Sequence, residues 1–513
     1  MKPELPCRCC SSPSFCDDEQ GMTRRAFLET GAAMAGGVAV ASLAAAQERP
    51  NRQPQVIKLP LKVQPVLVYQ LAKRREAASW RSWGGLMTEQ DVAQEKERIA
   101  RELQSMAATE PRVPIEMLPL ETVQSTEQAA ALAQGGHDAL LMYAASAGVQ
   151  VYEALANPEK WNIMFVRHRS GPVYLWYEIA HPRFLRKAVD EFGQKGMTVD
   201  DVVVDSPAEV AWRLRALYAL KNTLGKRIVA VGGPAGWGAG GKKAPDISRN
   251  TWKLDIQTVP YPELGQRIER AKKDEALVAE CHAAAARYLR QKGVSLQTSE
   301  EFFRNSFVLT EVFKELLAEA GTDAITINQC MGTIMPIAKT TACMPLSLLN
   351  DDGFMAFCES DFVVIPSGIL LRYISDRPVF LNDPTYPHDG VVTLAHCTAP
   401  RKMDAQRQEP VKILTHFESD YGAAPKVEMR KGQRVTNLIP DFACRKWVGV
   451  EGDIIDAPFL PICRSQIDVR LHGDCRKLVE EMKGFHWMTC YGSHLRETGY
   501  ALRKLGIDWL AIA

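Results

Sequence analysis

Two carboxylates follow apolar segments in the last third of the chain. Glu359 comes directly after the apolar run 354–358, and Asp383 comes directly after the run 378–382. An ionised carboxylate is costly to bury without a partner, so each is expected to meet a cation. If both runs are strands, their ends can converge on one point. That arrangement serves a hard divalent cation or an acid/base pair.

Each carboxylate also has a purely structural interpretation, in which it caps the turn or helix that follows. Asp361 fits that interpretation well because a helical run comes after it, and we interpret Asp361 as mainly structural. His396 ends the next predicted strand, and His486 lies in the segment 483–487. A lone histidine is usually only a hydrogen-bonded residue, so composition alone does not make His486 a ligand.

The elements that must position these residues form three predicted domains. Strands and helices alternate across 55–205 and again across 206–375, which favours parallel, doubly wound α/β sheets. The pattern of predicted elements changes in 376–513, where many short strands are separated by turn residues and two helices follow them at the end. This pattern predicts an antiparallel sheet or barrel. The expected fold class is therefore α/β, with two doubly wound domains followed by a β-rich, barrel-like C-terminal domain.

Several elements are predicted individually. Thr88 is a candidate N-cap for a helix that ends near residue 108. Other predictions are helices at 181–195, 206–224, 263–293 and 297–320, strands at 173–177 and 509–513, and closing helices near 475–482 and 494–505.

A glycine-rich stretch, 232–241, follows the predicted strand 226–231. Such a loop invites a dinucleotide-binding interpretation, but its glycine spacing does not match GxGxxG and no clean helix follows. A flexible loop over a site is the better interpretation, because loops at the carboxyl ends of parallel strands line ligand crevices.

The region 1–46 is typical of an export signal rather than of a folded domain. A twin-arginine pattern at Arg24–Arg25 precedes a weakly apolar run, and small residues at 44–46 suit a signal peptidase. The run of about 16 residues is short for a membrane-spanning helix, which needs roughly 20. We expect cleavage near Ala46 and export to the periplasm, with no membrane anchor after cleavage. Met22 is an alternative start to Met1.

Net charge and cysteine spacing limit the classes of partner and metal site that the sequence supports. The 513 residues carry a net charge of +1, which gives no electrostatic case for nucleic acid. Nine of the 13 cysteines follow the signal region, with no CxxC pair among them, so a thiolate zinc site is unsupported. Most of these cysteines are expected to be small buried residues, and the compartment allows one or two disulfides.

The chain from about 323 to 513 resembles the L-fucose isomerase / L-arabinose isomerase family. The resemblance is carried by motifs that occur in a fixed order, and one of the later motifs contains His486. These are Gln329-Cys330, Cys343 with Pro345–Gly353, Phe357–Asp361, Pro378–Asp383, Gly473–Arg476, Gly484–Trp487, Tyr491-Gly492 and Leu505–Ile507. The resemblance implies two α/β domains followed by a barrel-like domain, and an oligomer.

The family resemblance also implies a chemistry. Glu359 and Asp383 match the family's carboxylates, which bind Mn²⁺ (or another divalent cation such as Mg²⁺) and act as the acid/base pair. His486 matches the late histidine ligand, and His396 corresponds to an additional histidine that some members use. The implied activity is interconversion of an aldose and a ketose through an enediolate.

The chain departs from the family in its export signal, since members are ordinarily cytoplasmic. The sugar is not indicated, because the substrate-contacting residues of the first domain cannot be matched. Two other classes stay open: another metal-dependent enzyme acting on sugars, such as an epimerase or a lyase, and an exported sugar-binding protein without catalysis.

Overall fold

The computed structural model describes residues 54–109, 113–175, 184–186 and 193–513. These residues form two compact units, Lys58–Asn222 and Thr223–Ala513, the latter including the segment up to Ile57. The predicted boundary between a central and a C-terminal domain near 375 stays a prediction. The signal region and most of the predicted helix 181–195 lie outside the described residues. Within the described residues, no helix combines the length and apolarity needed to cross a membrane.

The first unit is built on a parallel sheet. Strand β1 (Leu61–Val68) pairs in parallel with β2 (Ile115–Met117), β3 (Glu121–Val123) and β4 (Ala139–Ala144), and the sheet continues through β5 (Trp161–Val166) to β6 (Val202–Val204). The described residues of this unit include helices α1 (Glu89–Thr109), α2 (Thr126–Ala133), α3 (Val149–Leu155) and α4 (Pro207–Thr223).

Two predictions for this unit can be compared with the structure. Thr88 does cap α1, because the Asp91 backbone N–H donates to Thr88 Oγ1 and the Thr88 N–H donates to the Asp91 carboxylate. The predicted strand at 173–177 is wrong over its described part, where residues 173–175 are irregular. The Gly85 N–H donates to the Val173 carbonyl. The segment 173–175 is therefore bonded to the loop that contains Gly85 and does not extend the sheet.

The second unit begins with another parallel sheet, in the order β11-β10-β7-β8. Its strands are β7 (Arg227–Val231), β8 (Asp255–Val259), β10 (Ala324–Ile327) and β11 (Met355–Phe357), while β9 (Val294–Leu296) belongs to a separate small sheet. Helices α5 (Gly238–Gly241) and α6 (Ala244–Thr251) lie between β7 and β8. After β8 come α7 (Tyr261–Lys273), α8 (Glu275–Leu289), α9 (Glu300–Ala320), α10 (Ile334–Ala338), α11 (Cys343–Asp351) and α12 (Ile365–Ser375).

Two expectations for this region are wrong. The segment 263–293 is not one helix, because Asp274 leaves the helical conformation and its side chain accepts the Leu277 N–H to start α8. A helix does follow the glycine-rich stretch, since α6 starts at Ala244 with Pro245 in its first turn, where the missing N–H of proline costs nothing.

The C-terminal part closes into a six-stranded antiparallel barrel. The ring runs β16 (Arg434–Pro440), β19 (Trp487–Tyr491), β12 (Phe380–Pro384), β13 (Val391–His396), β18 (Ser465–His472) and β17 (Lys446–Asp456), and β17 pairs back to β16. Buried side chains such as Val392, Val448 and Ile467 fill it. The last strand, β20 (Asp508–Ile512), adds in parallel to β17. The prediction of a barrel-like domain is confirmed, but β19 was not foreseen.

Three elements complete this part. Strand β14 (Val411–His416) pairs with β15 (Tyr421–Val427) and with β9. Helices α13 (Cys475–Glu481) and α14 (Leu495–Lys504) match the two predicted closing helices. Every cysteine in the described part is a thiol, with no disulfide between them.

A buried ion pair stabilises the start of β7. Lys226 Nζ contacts the Asp323 carboxylate and lies 2.8 Å from Tyr373 Oη, and the lysine and aspartate side chains are 6% and 0% exposed. Asp323 also accepts the Ile57 N–H at 2.7 Å. Burial lowers the pKa of Lys226, although Asp323 opposes that shift. The neighbouring pair of Arg227 and Asp255 is half exposed, so the two pairs form a natural comparison.

We predict that Asp323→Asn lowers the free energy of unfolding by about 3–5 kcal/mol, because it leaves a buried ammonium without its counter-charge. Asp255→Asn is the matched control and should cost less than about 1 kcal/mol, because water screens an exposed pair. Urea unfolding of both variants measures the difference. Equal losses would contradict the assigned role of the buried pair.

Candidate metal centre

Glu359 lies in a strained turn at the carboxyl end of β11. The turn follows the buried strand directly and places Glu359 and Ser360 at φ of 63° and 47°. These left-handed values are uncommon for residues other than glycine and cost of order 1–3 kcal/mol each. The Ser360 carbonyl accepts the Ala235 N–H at 3.2 Å, and the Phe362 N–H donates to the Ala235 carbonyl at 3.1 Å. The glycine-rich loop therefore holds the turn in place.

The glycine-rich loop folds closely on itself. A Cβ added at Gly236 would lie 2.2 Å from the Gly241 carbonyl oxygen, so only glycine fits there. Within the loop, the Trp237 ring stacks on Phe485 with centroids 3.9 Å apart and planes 10° apart. The loop thus contacts both the turn at Glu359 and the residue before His486.

The remaining site residues come from neighbouring barrel strands. Asp383 lies near the end of β12, where it pairs with Ala395 of β13, and His396 is the next residue. On the other side of β12, Asn382 pairs with Trp487 of β19, and His486 directly precedes that tryptophan. The hydrogen-bonded register of three strands therefore brings Asp383, His396 and His486 to one end of the barrel.

These side chains converge. His486 Nε2 lies 3.1 Å from Asp383 Oδ1 and 3.3 Å from Glu359 Oε2, so the three residues predicted from the sequence do meet in space. His396 Nε2 lies 3.6 Å from Glu359 Oε1. His486 and His396 are 0% and 4% exposed, whereas Glu359 and Asp383 are 17% and 23% exposed. The imidazoles form the buried side of the site, and the carboxylates are its more open side.

Asp361 has a larger part than a turn cap. Its Oδ1 accepts the N–H groups of Trp237 and Val363, at 3.0 and 3.1 Å, which agrees with a structural role. Its Oδ2, however, lies 2.7 Å from His486 Nδ1. In the tautomer with its proton on Nδ1, His486 donates to that carboxylate, and the Nε2 lone pair faces Glu359 and Asp383. Carboxylates orient metal-binding histidines in this way.

The charged side chains of the site shift one another's pKa values strongly. Burial opposes ionisation of Glu359, but His486 and His396 outweigh it and lower the pKa of Glu359 to about 2. Burial also opposes a charge on His486, but Glu359, Asp361 and Asp383 together raise the pKa of His486 well above its usual value. Three carboxylates around two imidazoles therefore create a point that favours a positive charge.

The donor set fits a divalent transition metal. The Nε2 atoms of His396 and His486 are both buried and make no hydrogen bond, although carboxylate oxygens are close. Buried polar atoms are rarely left in that state. Donor atoms of Asp383, His396 and His486 lie within 4.8 Å of one another, and so do those of Cys358, Glu359 and His396. Imidazole with carboxylate suits manganese, iron or zinc better than magnesium, which prefers oxygen alone.

Sequence reasoning found Glu359, Asp383 and His486, and treated His396 as a lesser candidate. It missed the hydrogen bond from His486 to Asp361, and it missed Cys358 as a donor. The two-residue spacing of Glu359 and Asp361 was the available signal, because residues two apart in a tight turn can both face one partner.

Neither a scan against protein-family models nor a comparison with curated proteins finds a match for the chain. The resemblance to the L-fucose isomerase / L-arabinose isomerase family therefore stays a prediction based on the residues quoted above.

Removing a donor should remove the metal. We expect protein purified with manganese to lose most of its bound ion in Glu359→Gln and in His486→Ala, as measured by elemental analysis. Glu451→Gln and His472→Ala are matched controls, because both residues lie on barrel strands outside the site. Unchanged metal content in both site variants would refute the centre.

Weakening the support of His486 should have a graded effect. Asp361→Asn keeps the size of the side chain but removes the charge that holds the Nδ1 proton, and we expect metal affinity to fall about 10–100-fold. Competition with a chromophoric chelator measures this, and circular dichroism checks the fold. An unaltered affinity would assign Asp361 to the turn alone.

Proposed function

We propose that the protein is a metal-dependent sugar isomerase that interconverts an aldose and a ketose. The observation that carries this proposal is the convergence of Glu359, Asp383 and His486 at 3.1–3.3 Å. A non-catalytic sugar-binding protein has no need of two carboxylates around one imidazole-lined point. An epimerase or lyase acting on sugars remains the second candidate, because it would use the same groups.

Isomerisation moves a proton from C2 of the substrate to C1 and moves the carbonyl in the opposite direction. Glu359 and Asp383 are the groups that can take and return this proton, because their side chains are more open than the histidines. The pKa of Glu359 is lowered to about 2, so its carboxylate is ionised at neutral pH. A divalent cation, Mn²⁺ or a related ion, held by Glu359, Asp383 and His486 would polarise the two substrate oxygens and stabilise the negative charge that develops on them.

The protein contributes orientation as well as proton transfer. Asp361 fixes the ring of His486, and the stack of Trp237 on Phe485 covers the adjacent backbone. The glycine-rich loop and the turn at Glu359 follow β7 and β11, at the carboxyl edge of the parallel sheet. In an open α/β sheet that edge is where ligands bind.

The strand order of the two parallel sheets supports a doubly wound arrangement. In the second unit the strand order β8-β7-β10-β11 has its first strand inside the sheet, and in the first unit β1 has neighbours on both sides. We propose that both sheets are doubly wound, with the crevice of the second unit at the switch between β7 and β10. We further propose that the protein is exported to the periplasm by the twin-arginine signal, that it carries no membrane anchor after cleavage, and that it works as a homo-oligomer on a small sugar.

The reaction class can be tested by isotope exchange. Aldoses incubated with the manganese-loaded protein in deuterated water should acquire deuterium at C2, and a ketose should form, as followed by nuclear magnetic resonance. Asp383→Asn should abolish both, and the control Asp468→Asn on β18 should not. Exchange with inversion at C2 and no ketose would indicate an epimerase, and chain cleavage a lyase. Sugar binding without exchange would indicate a binding protein.

A further inference from the structure

The two carboxylate oxygens of Glu359 face different histidines. Oε2 lies 3.3 Å from His486 Nε2, and Oε1 lies 3.6 Å from His396 Nε2. A carboxylate in this position can bridge two neighbouring cations, as carboxylates do in two-metal sites. The proposed function uses only the Oε2 side.

The Oε1 side has its own donors. The Cys358 sulfur, a Glu359 oxygen and a ring nitrogen of His396 lie within 4.8 Å of one another. His396 Nδ1 is 3.1 Å from Thr398 Oγ1, which leaves Nε2 as the ring nitrogen available to a cation. That Nε2 is buried and makes no hydrogen bond. Three protein ligands are the number that holds a catalytic transition metal and leaves a position open.

A small pocket opens on this side. Its lining includes Cys358, Glu359 and His396, but neither Asp383 nor His486. Four more cysteines contribute to its wall, namely Cys330, Cys343, Cys397 and Cys463. The wall is therefore rich in sulfur, which favours thiophilic cations over magnesium or calcium.

We propose a second cation position, held by Cys358, Glu359 Oε1 and His396, that takes a thiophilic divalent transition metal such as Zn²⁺ or Co²⁺. Glu359 bridges it to the first position, held by Glu359 Oε2, Asp383 and His486, and when both ions are bound the proton transfer falls to Asp383. This inference rests on the proposed function only for the first position. Cys358 is then a metal ligand, and the cavity gives access to the second ion.

Cobalt reports on both positions because a thiolate–Co²⁺ bond absorbs in the near ultraviolet and a Co²⁺ ion with nitrogen and oxygen ligands does not. Chelator-treated protein in oxygen-free buffer should bind about two Co²⁺ per chain, with the thiolate band present. Cys358→Ser should retain about one Co²⁺ and lose the band. Cys475→Ser, at the start of α13 and outside the cavity, is the matched control and should retain both ions and the band.

The second position can also be tested without any substitution, so that misfolding of a variant cannot explain the result. Zn²⁺ should slow alkylation of Cys358 by N-ethylmaleimide about tenfold or more, as mass spectrometry of the labelled peptide shows, because a metal-bound thiolate is shielded. Binding of about one Co²⁺, a thiolate band that survives Cys358→Ser, or alkylation unaffected by Zn²⁺ would each overturn the second position. In those cases cobalt binding that still requires His486 leaves the proposed function standing. Absence of any cobalt binding refutes both.

Discussion

The bond between Asp361 and His486 is the interaction on which the candidate site depends. One carboxylate joins three segments far apart in the sequence: the glycine-rich loop through Trp237, the start of α12 through Val363, and the barrel through His486. Asp361 and His486 are 2% and 0% exposed, so water does not compete for the bond. A buried charge is tolerated only when it is well paired, and here the pairing also fixes which nitrogen of the imidazole faces the other carboxylates.

The barrel supplies a second constraint, which is register. Asp383 on β12, His396 on β13 and His486 directly before β19 lie at one level of the barrel because backbone hydrogen bonds set the offset between strands. A slip of one residue would turn the affected side chain to the opposite face of the sheet. Closure of the six-stranded ring makes such a slip difficult, since β12 and β19 each have a neighbour on both edges. The geometry of the donors is thus a property of the whole barrel.

Local patterns in the sequence predicted many of the elements and three of the site residues. The predicted barrel strands are short runs separated by turn residues, and Glu359 and Asp383 end apolar runs, so both signals are short-range. Strand β19 was missed because its residues, Trp487–Tyr491, are buried throughout and show no alternation of polar and apolar side chains. The role of Asp361 could not be predicted, because its partner is 125 residues away and only the tertiary fold brings the two together. Cys358 fell under the general expectation of small buried cysteines, because the donor His396 reaches it only through the tertiary fold.

The turn at Ser360 places local stability and site geometry in opposition. Ser360 is fully buried, adopts a left-handed backbone, and has a hydroxyl group without a hydrogen-bond partner. Glycine would relieve the backbone strain and remove the unsatisfied hydroxyl, but it would also let the turn sample more conformations before folding and after it. A chain selected for stability alone would drift towards glycine at this position. The serine is therefore a residue at which the demands of folding and of holding Glu359 in place can be separated by substitution.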